Sequence, residues 1–75
     1  MKEPRNKFNV AFGAKLKVLR RKLGITQSQT AYYLGVTRST YAYYETGKVQ
    51  PSLETLRKIA RLYGVSADYL LDNNS

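Results

Sequence analysis

Apolar residues recur at Phe8, Phe12, Leu16, Leu19 and Leu23, at steps of four, four, three and four. That spacing is one stripe of an α-helix, and the lysines and arginines of the segment lie mostly off it. Asn6 or Asn9 is placed to cap the start, and Gly24 to stop it. Thr26 then occupies an N-cap position ahead of a short helix ending at Leu34, and Gly35 suits the left-handed position beyond it. Val36 follows, and Thr37 is a second cap that opens a helix over residues 38–45. Only Gly35, Val36 and Thr37 separate these helices. So short a link predicts a crossing near 90–120°, with Val36 plugging the corner. Residues 46–51 read as a loop. Ser52 caps a helix with Leu53, Leu56, Ile59 and Ala60 on one face, ended by Gly64. Val65 and Ser66 lead into a last helix containing Tyr69, Leu70 and Leu71. No strand-like alternation or internal repeat appears, so the pattern predicts five short helices and an all-α fold.

A chain of 75 residues holds one small domain. Cysteine and histidine are both absent. Disulfides, zinc fingers, haem ligation and histidine-based catalysis are thereby excluded, and the fold rests on packing, with or without association. Ser28, Ser39, Ser52 and Ser66 have no histidine partner, and Asp68 with Asp72 lacks the spacing of a calcium loop. The expectation is a binding protein, not an enzyme, with no cofactor.

Thirteen bases against five acids give a net charge of +8. Residues 1–24 hold eight of the bases and only Glu3, a net of +7. Such a chain should seek polyanions, nucleic acid before anionic membrane. No apolar run approaches a membrane span, and Lys15 and Lys17 break up anything resembling a signal-peptide core. A cytoplasmic protein is expected. A basic first helix lying on lipid is an alternative, but it leaves the tight turn and the capped helices unexplained. A protein-interaction module on the same scaffold is another.

Six segments in order then carry a resemblance: Leu16-Lys-Val-Leu-Arg20, Leu23-Gly-Ile-Thr-Gln27 with Ala31, Leu34-Gly-Val-Thr37, Tyr44-Glu-Thr-Gly-Lys48, Pro51-Ser-Leu-Glu-Thr-Leu56 with Ile59-Ala60, and Gly64-Val-Ser-Ala-Asp-Tyr-Leu-Leu71. Together they resemble the lambda-repressor-like, Cro-type (XRE) helix-turn-helix regulators. The resemblance implies a compact five-helix DNA-binding domain over residues 10–71, with the helix-turn-helix at about 27–46. A basic arm over residues 1–9 and a polar tail over 72–75 would flank it, and the chain could be the DNA-binding part of a longer regulator. The implied function is a sequence-specific double-stranded DNA-binding transcriptional regulator, a repressor of the phage, plasmid or bacterial type. In this family the second helix crosses the DNA backbone and the third enters the major groove.

The side chains of residues 38–45 fit that orientation. Tyr41 and Tyr44 share a face and should pack inward, leaving Arg38, Ser39, Ala42 and Tyr43 outward. A cation at a helix N-terminus opposes the helix dipole, so another demand favours Arg38 there. Arg38, Ser39 and Tyr43 are the expected base contacts, Tyr43 with a phosphate or a half-buried core position as its alternatives. Thr37 and Thr40, near exposed N–H groups of the first turn, are expected at phosphates. The resemblance adds Gln27 and Lys48 as phosphate contacts, and Arg20 with Glu45 as a partly buried structural ion pair. Thr30 and Tyr41 depart from the family's aliphatic residues, as if Tyr41 filled space left by the smaller Thr30. The expected partner is a pseudo-palindromic operator bound by a weak or DNA-dependent homodimer, with Tyr63, Val65, Tyr69, Leu70 and Leu71 as the candidate dimer patch.

Overall fold

The computed structural model describes residues 7–72. Among them are five helices and no strand: α1 (Lys7–Leu23), α2 (Gln27–Leu34), α3 (Arg38–Thr46), α4 (Leu53–Tyr63) and α5 (Ala67–Leu71). None of these helices is long and apolar enough to cross a membrane.

The boundaries follow from local chemistry. At α2 the Thr26 hydroxyl accepts the Gln29 N–H at 3.0 Å, and the Gln29 side chain accepts the Thr26 N–H at 2.8 Å, a reciprocal capping box. Thr37, Ser52 and Ser66 cap α3, α4 and α5 in the same one-sided way, each hydroxyl accepting the N–H three residues on. Gly35 takes φ 76°, which lets the Val36 N–H turn back onto the Ala31 carbonyl at 3.0 Å. Val36 is partly buried against the core at this corner.

α1 begins where the apolar stripe opens, ahead of the domain boundary at residue 10 that the resemblance implied. Lys7, Phe8 and Asn9, assigned to a basic arm, form its first turn, where the rings of Phe8 and Phe12 stack with centroids 6.2 Å apart. Asn9 therefore lies inside the helix and is not its cap; its side-chain oxygen accepts a hydrogen bond from Gln50 at 2.9 Å. The remainder of the expected arm, including Asn6, and tail residues 73–75 lie outside the described residues. At the other end Leu23 is 51% exposed although its angular position on the stripe is right. α1 is about 25 Å long and its last turn projects past the core, while the chain turns back at Gly24 to pack Ile25 instead.

The core gathers side chains from all five helices, with Leu16, Thr30, Tyr41, Ile59 and Leu70 sealed from solvent. α1 and α3 meet backbone to backbone. A Cβ built on Gly13 would lie 2.4 Å from the carbonyl oxygens of both Tyr44 and Glu45, so only glycine permits this crossing.

Two polar features tie the layers. The hydroxyls of Tyr41 and Tyr63 share a 2.7 Å hydrogen bond, and the Tyr63 hydroxyl also reaches Thr30 Oγ1 at 3.5 Å. Thr30 in turn donates to the Thr26 carbonyl at 3.1 Å. The tyrosine that reaches Thr30 is thus Tyr63, arriving from α4, and Tyr41 meets Thr30 only through it. Burial raises the pKa of both tyrosines above the ordinary phenol value. Lys15 supplies the second tie. Its ammonium donates to the carbonyls of Tyr69, at 2.8 Å, and Asp72, and lies 4.6 Å from the centroid of the Tyr69 ring. It closes the end of α5.

Candidate nucleic-acid interface

Residues 26–50 contain one acid, Glu45, and that residue is buried. The exposed surface of the α2–turn–α3 unit therefore carries only positive formal charge, from Arg38 and Lys48. Tyr41 and Tyr44 turn inward, at 0% and 5% exposure, with their rings edge to face. Arg38, Ser39 and Tyr43 are exposed, and Ala42 and Thr40 are half-buried beside them.

At the leading end of α3 the Thr37 hydroxyl accepts the Thr40 N–H and donates to the Thr40 hydroxyl, both at 3.0 Å. Thr40 thereby keeps its own hydroxyl proton for an outside acceptor, and the first-turn N–H groups of Arg38 and Ser39 stay at the solvent end. At the trailing end the Tyr43 carbonyl accepts from the N–H of Gly47 at 3.0 Å and of Lys48 at 2.9 Å. The Lys48 ammonium sits 4.5 Å from the centroid of the Tyr43 ring. These two expected contact residues are thus held together on one edge.

Behind this face lies an ion pair. Arg20 Nε donates to Glu45 Oε2 at 2.6 Å and Arg20 Nη2 to Glu45 Oε1 at 3.2 Å, a bidentate join between α1 and the last turn of α3. Arg20 Nη1 also donates to the Ile25 carbonyl at 3.0 Å. Desolvation alone would push the Glu45 carboxyl up; Arg20, with Tyr41 and Gln27, outweighs it and holds the group below the usual carboxylate range. The hydrogen bond to Glu45 likewise raises Arg20, against its own desolvation.

Gln27, which the resemblance places at the DNA backbone or an adjacent base, is also engaged within the protein. Its Nε2 donates to Glu45 Oε1 at 3.0 Å and its Oε1 accepts from Arg38 Nη1 at 3.2 Å. No local sequence signal announces that arrangement, because the three residues are brought together only by the helix crossing.

The candidate dimer patch is corrected by the structure. Tyr63 and Leu70 are core residues, and Val65 is partly buried against them, because α5 needs these side chains to hold it to the rest of the domain. Only Tyr69 and Leu71 are exposed, the former beneath Lys15. Leu71 adjoins Phe8, Phe12, Gln50, Pro51, Leu53 and Leu56 around a shallow groove of about 130 Å³.

A capped helix pair about a left-handed glycine, with a positive outer face and a polar edge at the start of its second helix, defines a helix-turn-helix domain. The chain belongs to the XRE-type, lambda-repressor-like helix-turn-helix family, whose pattern matches residues 16–70. Among its relatives is the SPbeta prophage-derived HTH-type transcriptional regulator YonR of Bacillus subtilis, 47% identical over 60 residues, covering 80% of this chain and 56% of YonR. The cryptic phage CTXphi transcriptional repressor RstR of Vibrio cholerae is 36% identical over 63 residues, covering 84% of this chain and 57% of RstR. The chain thus spans somewhat over half the length of these relatives. The P22 c2 repressor, solved in complex with a synthetic operator, superposes with a TM-score of 0.79 at 27% identity, over 84% of this chain and 96% of that one.

Proposed function

We propose that this chain is a sequence-specific double-stranded DNA-binding transcriptional regulator, acting as a repressor by occupancy of its operator. The observation that carries the reading is the outer face of α3: Arg38 and Ser39 exposed at its leading end and Tyr43 exposed further along it, with no exposed acid on the whole helix-turn-helix. α3 enters the major groove N-terminus first. Arg38 reads a guanine edge, Ser39 and Tyr43 contact neighbouring base edges, and Ala42 offers only apolar contact. Thr37, Thr40, Gln27 and Lys48 set register on phosphates, with the free first-turn N–H groups and the helix dipole favouring the anion. Two copies on a pseudo-palindrome, with half-sites about 10 bp apart, multiply the specificity of one. The protein works in the cytoplasm, on DNA, without catalysis or a cofactor. RstR, named as a repressor, and the operator-bound P22 c2 repressor support the reading.

Random-site selection with the purified protein, repeated at two salt concentrations, tests it. A half-site motif is expected. Arg38→Ala should relax one base position at a cost of about 1–3 kcal/mol, whereas Lys48→Ala should weaken all sequences alike and flatten the salt dependence. Recovery of no motif would leave a nonspecific polycation and refute the proposal.

A further inference from the structure

We infer that Glu45 fixes which base Arg38 reads, acting through the side-chain amide of Gln27; this rests on the DNA-reading role proposed above. Glu45 touches no DNA in that reading. Its side chain is 3% exposed and lies behind α3. Yet its Oε1 is the acceptor that holds Gln27 Nε2, and the same amide presents Oε1 to Arg38 Nη1. The two contacts demand one and the same orientation. Flipping the amide would set its carbonyl against a carboxylate and its NH2 against a guanidinium, which loses both hydrogen bonds and makes two repulsive contacts. A glutamine side chain otherwise free to rotate is thereby locked from the interior, and the polarity of its outer end is dictated by a buried charge.

The consequence falls on Arg38. A guanidinium carries five N–H donors, and Gln27 takes one of them on Nη1. The others remain for the two acceptors of a guanine edge, so Arg38 can stay anchored while it reads. Anchoring one corner restricts a long, flexible side chain to a narrow set of directions, and thus to one base step. Arg20 completes the line by holding Glu45 itself, so the connection runs Arg20, Glu45, Gln27, Arg38, from the protein interior to its surface. Gln27 and Glu45 are positioning residues here, and the role differs from a phosphate contact, which would add affinity without choosing a base.

The test compares dissociation constants for the selected duplex and for duplexes changed at the base that Arg38→Ala relaxes. Gln27→Ala and Arg20→Met/Glu45→Leu both release the anchor; the second replaces the ion pair with apolar groups that such sites tolerate. Both are expected to reduce discrimination at that base by roughly tenfold while leaving discrimination at other positions intact. Adding Arg38→Ala to Gln27→Ala should reduce it no further. Should the double replacement fail to fold by circular dichroism, Gln27→Ala, at a half-buried surface position, carries the test alone. If Gln27→Ala weakens every duplex by the same factor, the inference is overturned and Gln27 serves the backbone only. If the unaltered protein selects no motif, or Arg38→Ala alters no base preference, the parent reading falls and this one with it.

Discussion

Gly13→Ala is the sharpest single test of how the domain is assembled. On an isolated helix the change would help, since alanine is favoured over glycine by about 1 kcal/mol in a helix interior. In this fold the added methyl would meet the carbonyl oxygens of Tyr44 and Glu45 at 2.4 Å and the Glu45 carbonyl carbon at 2.7 Å. All three atoms are backbone, so no rotamer change relieves the contact. Restoring ordinary van der Waals separation requires α1 and α3 to part by about 1 Å. That opening would loosen Phe12, Leu16 and Tyr44 and stretch the Arg20–Glu45 pair. Overpacking of this kind typically costs about 1–3 kcal/mol, and a clash with rigid backbone belongs at the top of that range or beyond it. After the gain in propensity, a net loss of about 2 kcal/mol or more is expected, which lowers Tm by roughly 8–16 °C in a domain of this size. Thermal and urea unfolding followed by far-UV circular dichroism measure it directly. A Gly13→Ala protein that melts at or above the parent temperature would show that the α1–α3 crossing is not as close as described.

Three further outcomes follow from the same contacts. Glu45→Ala should destabilise by about 3–5 kcal/mol, more than Arg20→Ala/Glu45→Ala, because the single change strands a partly desolvated guanidinium; equal or reversed melting temperatures would contradict this. The Glu45 carboxyl is depressed in the folded state, so its contribution is full above the ordinary carboxylate range near pH 4 and drains away as the pH falls through its folded value. Tyr41 and Tyr63 are raised, so their contribution is full below about pH 10 and is lost above it. Unfolding free energy measured from pH 2 to 11 should therefore decline at both ends, and Arg20→Met/Glu45→Leu should flatten the acid limb. Thr30→Leu, at a sealed position against the Tyr41–Tyr63 hydroxyl pair, should overpack and cost about 1–3 kcal/mol; an unchanged or higher Tm would argue against that packing.

What the sequence disclosed and what it withheld divide along a physical line. Thr26, Thr37 and Ser52 cap helices through atoms three residues away, and Gly35 and Gly64 end them locally, so short-range chemistry placed the helices. The inward turn of Tyr41 and Tyr44 followed from their spacing alone. Contacts across the fold left no such mark. Gly13 looks like a weak point in a helix until α3 is laid against it. Lys15 looks like one more surface base, yet it closes a helix end 54 residues away. Leu70 reads as part of a surface patch because α5 is too short to declare its buried face by periodicity, and Tyr63, the last residue of α4, is buried through contacts across the fold, Tyr41 among them. Gln27 shows the same limit within the interface: its position suggested a contact, but its orientation depends on Glu45, 18 residues further on.

The backbone-to-backbone seat of α3 on α1 also bears on the kinetics of recognition. Where Gly13 meets Tyr44 and Glu45, backbone touches backbone, so the seat of α3 on α1 is set at close range. A surface set in advance has little internal motion left to surrender on docking. In the proposed DNA-reading role, the speed of capture is then governed by diffusion and orientation in the field of the duplex, and discrimination among sites is expressed as how long each complex lasts.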